Sequence, residues 1–95
     1  KINGYRIELG EIEHHARQFL QRESNHVIVM TYTDENGVLQ IGMLIEHAQM
    51  DSAPLMAYLK SVMPAYMLPA KVVYVPSFPM NSSNKIDRSQ LKKML

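Results

Sequence analysis

The sequence contains no cysteine, and none of its apolar runs approaches the length of a membrane span. Without cysteine, the chain has neither a disulfide framework nor a thiolate metal site. Because there is also no signal peptide ahead of the first motif, we expect a cytoplasmic protein with no membrane contact. Aromatic residues make up only 7% of the chain and do not alternate with basic residues, so no stacking platform for nucleic-acid bases is expected.

Patterns typical of complete catalytic sites are also missing. The sequence has no recognisable nucleophile–base pair, no metal-ligand spacing and no glycine-rich phosphate loop. His14 and His15 are adjacent in a predicted helix, where adjacent positions do not share a face. We therefore predict no metal site, and we do not expect the 95 residues to be active by themselves.

Length and composition predict one small folded domain that spans residues 1–95, since 46% of the residues are apolar and 20% are charged. The chain begins with Lys1 rather than methionine, which suggests a piece of a longer protein. Its charge is uneven, because residues 51–95 carry six Lys or Arg against two Asp or Glu. This basic end is either a solvated helix or a surface that attracts nucleic acid or a phosphate-bearing ligand.

The hydrophobic periodicity predicts an α+β fold, with helices packed on a small three-stranded sheet and an additional N-terminal two-stranded hairpin. Asn3-Gly4, between short alternating segments, predicts the hairpin. The other elements, in order, are a helix over Leu9–Leu20, strands within 26–33 and 38–46 joined by a turn at Asn36-Gly37, a helix capped by Asp51 or Ser52 and ended by Pro64, a strand over 71–75, and a last helix capped by Asp87 with Gln90 in a capping box.

Two short stretches are candidates for contact with a ligand. In "NSSNKIDR" (81–88), Lys85 lies just ahead of a helix N-terminus, where a positive charge is unfavourable unless an anion lies between them. Asn84 can adopt the left-handed conformation of a tight turn and so present Lys85 outward. At the other end, Gly4 allows another molecule to approach the backbone closely. The alternatives are an ordinary surface lysine and an ordinary turn.

Three motifs together resemble the C-terminal subdomain of adenylate-forming ligases. They are "KINGYRIELGEIE" (1–13), "PAYMLP" (64–69) and "NSSNKIDRSQL" (81–91), which occur in the order found in that family and cover essentially the whole chain. The style is that of amino-acid adenylation domains of nonribosomal peptide synthetases and of D-alanine–carrier protein ligases. The sequence departs from the family at Ser83-Asn84, where Asn-Gly is usual.

The resemblance implies a mobile lid on a large N-terminal core domain that binds ATP, Mg²⁺ and a small carboxylate substrate. Lys85 matches the lysine that bridges the substrate carboxylate and the phosphate oxygens while the acyl-adenylate forms. Gly4, Tyr5 and Arg6 match the face that meets the phosphopantetheine of a carrier protein, or coenzyme A, during thioester formation. Arg6 and Glu8 have a second interpretation, in which they hold the hairpin to the lid or to the core domain.

Two other functions remain open from the sequence. Within the family, the chain could be the lid of an acyl- or aryl-CoA ligase, because the carboxylate pocket lies in the core domain. Outside the family, it could be a free-standing binding module whose basic last helix holds nucleic acid or a protein partner. We expect no nucleic-acid partner, and salt-sensitive binding to RNA or DNA would favour the module.

Overall fold

The computed structural model describes residues 4–20 and 26–95 of the chain. It contains α1 (Leu9–Leu20), β1 (Val27–Thr33), β2 (Leu39–Glu46), α2 (Ala53–Val62), a 3₁₀ turn (Ala65–Met67), β3 (Lys71–Val75) and α3 (Arg88–Lys92). The predicted α+β fold, with its order of helices and strands after the hairpin, is confirmed. Among the described residues, no helix is both long and apolar enough to cross a bilayer.

The three strands form one mixed sheet with β2 in the centre. β1 and β2 pair antiparallel, with Val29 opposite Met43, whereas β2 and β3 pair parallel, with Met43 opposite Val72. A parallel pair requires a crossover connection, and α2 lies in it. The sheet is therefore a hairpin extended by one β-α-β unit.

Side chains alternate between the two faces of the sheet, and each face has its own apolar core. Val29, Met43 and Tyr74 belong to the core that includes α1 and α2. Ile28 and Leu44 belong to the opposite core, which is closed by residues near the C-terminus, Val75, Phe78 and Leu91. Because both faces are covered, five consecutive β2 residues, 41–45, are buried.

Helix α1 closes the outer edge of β1 through two side chains. The carboxylate of Glu13 accepts a hydrogen bond from the backbone N–H of Val29 at 2.7 Å, and Arg17 donates to the carbonyl of Val27 at 3.0 Å. The two side chains also form an i,i+4 ion pair at 3.5 Å. These contacts satisfy edge groups that are otherwise free to pair with another strand. Glu13 and Arg17 are four residues apart, a spacing that predicts a stabilising ion pair on a helix, and here the pair also holds the helix to the sheet.

The two predicted helix caps differ from the simple patterns. At α2, the carboxylate of Asp51 accepts a hydrogen bond from the N–H of Ala53 at 3.0 Å, while the hydroxyl of Ser52 donates to that of Tyr74 at 3.0 Å. At α3, Asp87 caps the helix as predicted. The Gln90 amide, however, donates to the Asp87 carboxylate at 3.1 Å rather than bonding the Asp87 backbone, so the expected capping box is only half formed.

The predicted N-terminal hairpin lies partly outside the described residues, because its first arm is residues 1–3. Gly4 has a φ of +85°, which is the left-handed conformation that a tight turn requires. Tyr5 occupies a β-bridge position, and residues 6–8 are neither helix nor strand.

Candidate functional site

Lys85 ends a tight turn of residues 81–85, which we call the Lys85 turn. The side-chain oxygen of Asn81 accepts hydrogen bonds from the backbone N–H groups of Ser83 at 2.8 Å and of Lys85 at 3.1 Å. The backbone N–H of Asn81 donates to the carbonyl of Lys85 at 2.8 Å, and that of Asn84 donates to the carbonyl of Asn81 at 3.0 Å. Both backbone polar groups of Lys85 are therefore held by Asn81.

The same turn occurs between β1 and β2, in residues 34–38, which we call the Asp34 turn. The backbone N–H of Asp34 donates to the carbonyl of Val38 at 2.9 Å, and that of Gly37 donates to the carbonyl of Asp34 at 3.0 Å. The Asp34 carboxylate accepts from the N–H groups of Asn36 at 2.9 Å and Val38 at 3.0 Å. Each of these four bonds has its counterpart in the Lys85 turn. The pair that the sequence predicts as a turn, Asn36-Gly37, provides the third and fourth residues of the Asp34 turn.

The match between the two turns explains the departure from the family at Asn84. Asn84 has a φ of +62° where the Asp34 turn has Gly37 at +79°. Three-residue hairpin loops commonly need a left-handed residue at this position, and Asn is among the few non-glycine residues that adopt it routinely. Asn84 is the only non-glycine residue with positive φ among those that the structure describes. The prediction that Asn84 takes the conformation of glycine is confirmed.

The acceptor oxygens of the two turns differ in charge. The pKa of Asp34 is lowered from its usual value, first by the side-chain amide of Gln40 and then by the backbone N–H of Val38, because hydrogen bonds stabilise the charged carboxylate. Asn81 provides a neutral oxygen at the same place in the Lys85 turn. The geometry of the Lys85 turn therefore does not depend on a carboxylate next to the lysine.

The side chain of Lys85 is exposed, and the three ion pairs found among the described residues do not include it. The nearest acidic residue in sequence, Asp87, is engaged in capping α3 through Gln90. The N-terminus of α3 is therefore capped by Asp87, as the sequence predicts. The Lys85 turn fixes the backbone of Lys85 and leaves its ammonium exposed, in keeping with the expectation that a tight turn presents Lys85 outward.

Exchanging the left-handed residues of the two turns is expected to have small effects. Asn84→Gly and Gly37→Asn should each change the free energy of unfolding by about 1 kcal/mol or less, because both residue types tolerate positive φ. Asn84→Val should cost more, since a β-branched residue is poorly accommodated there. Thermal unfolding of the three variants tests this. An Asn84→Gly protein as defective in function as one lacking Lys85 would show instead that the Asn84 side chain acts directly.

The second candidate element consists of Gly4, Tyr5 and Arg6, all of which are exposed. We call these residues the Gly4 element, and the backbone bend at Gly4 the Gly4 turn. A Cβ atom placed on Gly4 would have no described heavy atom within 4 Å, so its backbone is open to an approaching molecule. Tyr5 stacks on Tyr66, with ring centroids 4.1 Å apart and an interplanar angle of 8°. No described ion pair involves Arg6 or Glu8. The proposed ligand face is thus built from an open backbone and a tyrosine pair.

The structure does not bring the two candidate elements together. Ile7, next to the Gly4 element, packs on the core that includes α1 and α2. Ile86, next to Lys85, packs on the opposite core. Lys85 and Gly4 therefore belong to elements on the two sides of the sheet.

Other features do not add a site to these two elements. Within residues 4–20 and 26–95, no group of three or more His, Cys, Asp or Glu side chains is placed to hold a metal ion. A cavity of about 440 Å³ includes none of the candidate residues and is lined by Tyr32, Thr33, Asp34, Glu35, Ala70, Lys71 and Leu95. Sequence reasoning missed Tyr66, although its "PAYMLP" motif was a signal that this connection has a function.

Comparison with known proteins identifies the family, although no family model matches the chain. A linear gramicidin synthase of Brevibacillus parabrevis is 39% identical over 96% of this chain and 1% of its own length. The D-alanine–D-alanyl carrier protein ligase of Bacillus licheniformis is 37% identical over 98% of this chain and 20% of its own length. A four-domain nonribosomal peptide synthetase bound to AMP and glycine superposes with a TM-score of 0.78 at 32% identity, over 94% of this chain and 7% of its own.

The chain spans a small part of each of these relatives, from 1% to 20% of their length. Two kinds of comparison agree, since sequence and structure both align over nearly the whole chain. The chain belongs to the adenylate-forming ligase family and corresponds to the C-terminal subdomain of its nonribosomal peptide synthetase and D-alanine–carrier protein ligase members.

Proposed function

We propose that this chain is the mobile C-terminal lid of an ATP-dependent ligase that activates a carboxylate, most simply an amino acid, and transfers it to a phosphopantetheine thiol. The observation that carries this proposal is the position of Lys85. Its side chain is exposed, has no described ion pair and extends from a hydrogen-bonded turn. This turn and Gly4 lie on opposite sides of the sheet. Each side of the lid then serves one of the two half-reactions.

Lys85 serves the first half-reaction. A carboxylate oxygen attacks the α-phosphate of ATP and pyrophosphate leaves, which gives the acyl-adenylate. Negative charge accumulates between the carboxylate and the phosphate oxygens in the transition state, and an oriented ammonium stabilises it. Because lysine is a compact point charge on a flexible stem, it can contact both groups at once. We assign ATP and Mg²⁺ mainly to the N-terminal core domain, as the family resemblance implies.

The Gly4 element serves the second half-reaction. The phosphopantetheine sulfur attacks the acyl carbon and AMP leaves, which gives the thioester. Gly4 would let the pantetheine arm pass close to the backbone, since a Cβ would have open space around it. Tyr5 and Arg6 would line the same face. The lid must rotate between the two half-reactions, and rotations of this kind are common steps in enzyme cycles.

The relatives favour a carrier protein over coenzyme A as the thiol donor. The sequence relatives above 30% identity include a nonribosomal peptide synthetase and two D-alanyl carrier protein ligases. A fatty acyl CoA synthetase also superposes, but at 21% identity, which is evidence for the fold alone. We therefore propose an N-terminal core domain, a carrier protein and a small carboxylate as partners, in the cytoplasm.

Carboxylate-dependent exchange of pyrophosphate into ATP by the full-length protein tests this function. We expect exchange with at least one amino acid, followed by thioester formation on a phosphopantetheinylated carrier protein and much less on coenzyme A. A preference for coenzyme A would assign the acyl-CoA ligase function instead. The absence of exchange with amino, aryl and fatty acids, combined with salt-sensitive nucleic-acid binding, would favour a binding module.

A further inference from the structure

The "PAYMLP" motif has no part in the two half-reactions described so far, yet its tyrosine contacts the Gly4 element. We propose that Tyr66 is a positioning residue for thioester formation, which acts by stacking on Tyr5 and holding the Gly4 turn in place. This inference rests on the proposed function, and it assigns to residues 64–69 a role in the second half-reaction.

The backbone that carries Tyr66 is held by a hydrogen bond and by buried neighbours. Tyr66 is the middle residue of the 3₁₀ turn, and the next residue, Met67, is buried in the core with 6% of its surface exposed. The backbone N–H of Met67 donates to the carbonyl of Pro64 at 3.0 Å. Pro69 is also buried. The two prolines fix their own φ angles, so the turn offers the Tyr66 ring from a nearly fixed backbone.

The Gly4 turn needs such support because its own backbone is permissive. Gly4 is exposed, has a positive φ and has no Cβ that could pack against a neighbour. Arg6, two residues later, is also exposed. Glycine restricts the backbone less than any other residue, so neighbouring contacts must select the conformation. The Tyr5 ring, two residues before the partly buried Ile7, is the group through which the turn reaches Tyr66.

The Tyr5–Tyr66 pair is exposed, which favours a positioning role over ordinary packing in the core. Tyr5 is 49% exposed and Tyr66 is 44% exposed, so neither ring is buried in the core. Phe19 and Tyr58 form a comparable aromatic pair, with centroids 5.3 Å apart, but both pack against the α1–α2 core. Loss of the Tyr5–Tyr66 stack should loosen the Gly4 turn and leave the core intact. The effect should then appear in the half-reaction that uses Gly4.

The test measures both half-reactions of the full-length protein in matched variants. Tyr66→Ala should slow thioester formation by about threefold to tenfold, which is the loss expected for one aromatic pair, and slow adenylation much less. Tyr66→Phe should restore the rate, because the stack needs the ring and not the hydroxyl. Tyr58→Ala is the control for general destabilisation, and any loss it causes should affect both half-reactions equally.

A second pair of variants tests whether the two rings act together. Tyr5→Ala should have the same profile as Tyr66→Ala, and the double variant should be no slower than either single one, because partners in one contact are not additive. Additive losses, equal losses in both half-reactions, no loss with Tyr66→Ala, or no rescue by Tyr66→Phe would each overturn the positioning role. Failure of the proposed function is distinguishable, because the unmodified protein would then form neither adenylate nor thioester.

Discussion

Replacing Lys85 with alanine in the full-length protein is expected to lower the rate of adenylate formation by roughly two to three orders of magnitude, the scale for losing one oriented group that stabilises transition-state charge. The free energy of folding should change little, because the side chain is exposed and has no described ion pair. Pyrophosphate exchange measures the adenylation loss. Transfer of the acyl group from a preformed adenylate should be largely spared, since we propose that this step uses the opposite side of the domain.

Two further variants separate the position of this lysine from its charge. Lys92→Ala removes the same charge from an exposed position on α3 and should leave pyrophosphate exchange within about twofold of normal, because exposed charges at a distance are screened by salt. Lys85→Arg retains the charge but replaces a point charge with a planar fork, so it should recover only part of the rate. Near-normal exchange by Lys85→Ala would refute the assignment.

Local sequence signals, which are hydrophobic period, β-branched content and turn residues, were sufficient to predict the helices and strands of this fold. In α1, Ile12 and Ala16 are buried and four residues apart, and the helix has the predicted bounds of Leu9 and Leu20. β2 was predicted as the strand that follows the Asn36-Gly37 turn, and burial on both faces explains why its apolar residues do not alternate with polar ones. In α2, Leu55 and Leu59 are buried and four residues apart, whereas Val62, the last residue of the helix, is 39% exposed.

Pairing between elements was not predictable in the same way. Nothing local in residues 71–75 specifies that β3 lies parallel to β2, because the side-chain period is the same in parallel and antiparallel strands. The contacts of Glu13 and Arg17 with β1 were likewise hidden, since their spacing of four residues already had a local explanation in the helix. Long-range contacts can be predicted only when the topology of the fold is already known.

The candidate site shows the same division between local and long-range information. The left-handed conformation of Asn84 follows from residue type and was predicted, whereas the repeat of its hydrogen bonds in the Asp34 turn was not. The tight turn that was expected to present Lys85 outward is present, but its side-chain hydrogen bonds to Asn81 were not predicted. Tyr66 was missed, because no sequence rule places it against Tyr5.

The separation of Lys85 and Gly4 on two sides of one sheet constrains the proposed cycle. Their neighbours Ile86 and Ile7 pack into different cores, so the two elements cannot approach one another without loss of the fold. Both elements are nevertheless assigned to the same acyl group, first as an adenylate and then as a thioester. In the proposed cycle, the whole domain would therefore turn over the core domain between the half-reactions, with its own cores intact.

Placing leucine at Gly4 is expected to slow thioester formation by about tenfold to a hundredfold, a loss typical of displacing one reacting group by about 1 Å. Adenylation should change much less. A Cβ at this position would have no described heavy atom within 4 Å, so the lid itself has room for a side chain. Besides the strain that a side chain at positive φ causes, the predicted selective loss comes from a molecule that approaches the backbone from outside, which we propose is the pantetheine arm. Rates of thioester formation and of pyrophosphate exchange, measured on the same preparation, give the comparison.

Gly37 provides a matched control for backbone strain. Its φ of +79° is close to the +85° of Gly4, and a Cβ there would also have no described heavy atom within 4 Å. Gly37→Leu should therefore cost about the same 1–2 kcal/mol of stability as Gly4→Leu, because the left-handed conformation is equally unfavourable for both. Only the Gly4 variant should lose thioester formation selectively, and Gly4→Ala should lose less than Gly4→Leu. If Gly37→Leu shows the same selective loss, or if Gly4→Leu slows both half-reactions equally, strain or misfolding of the turn explains the effect and the pantetheine face lies elsewhere.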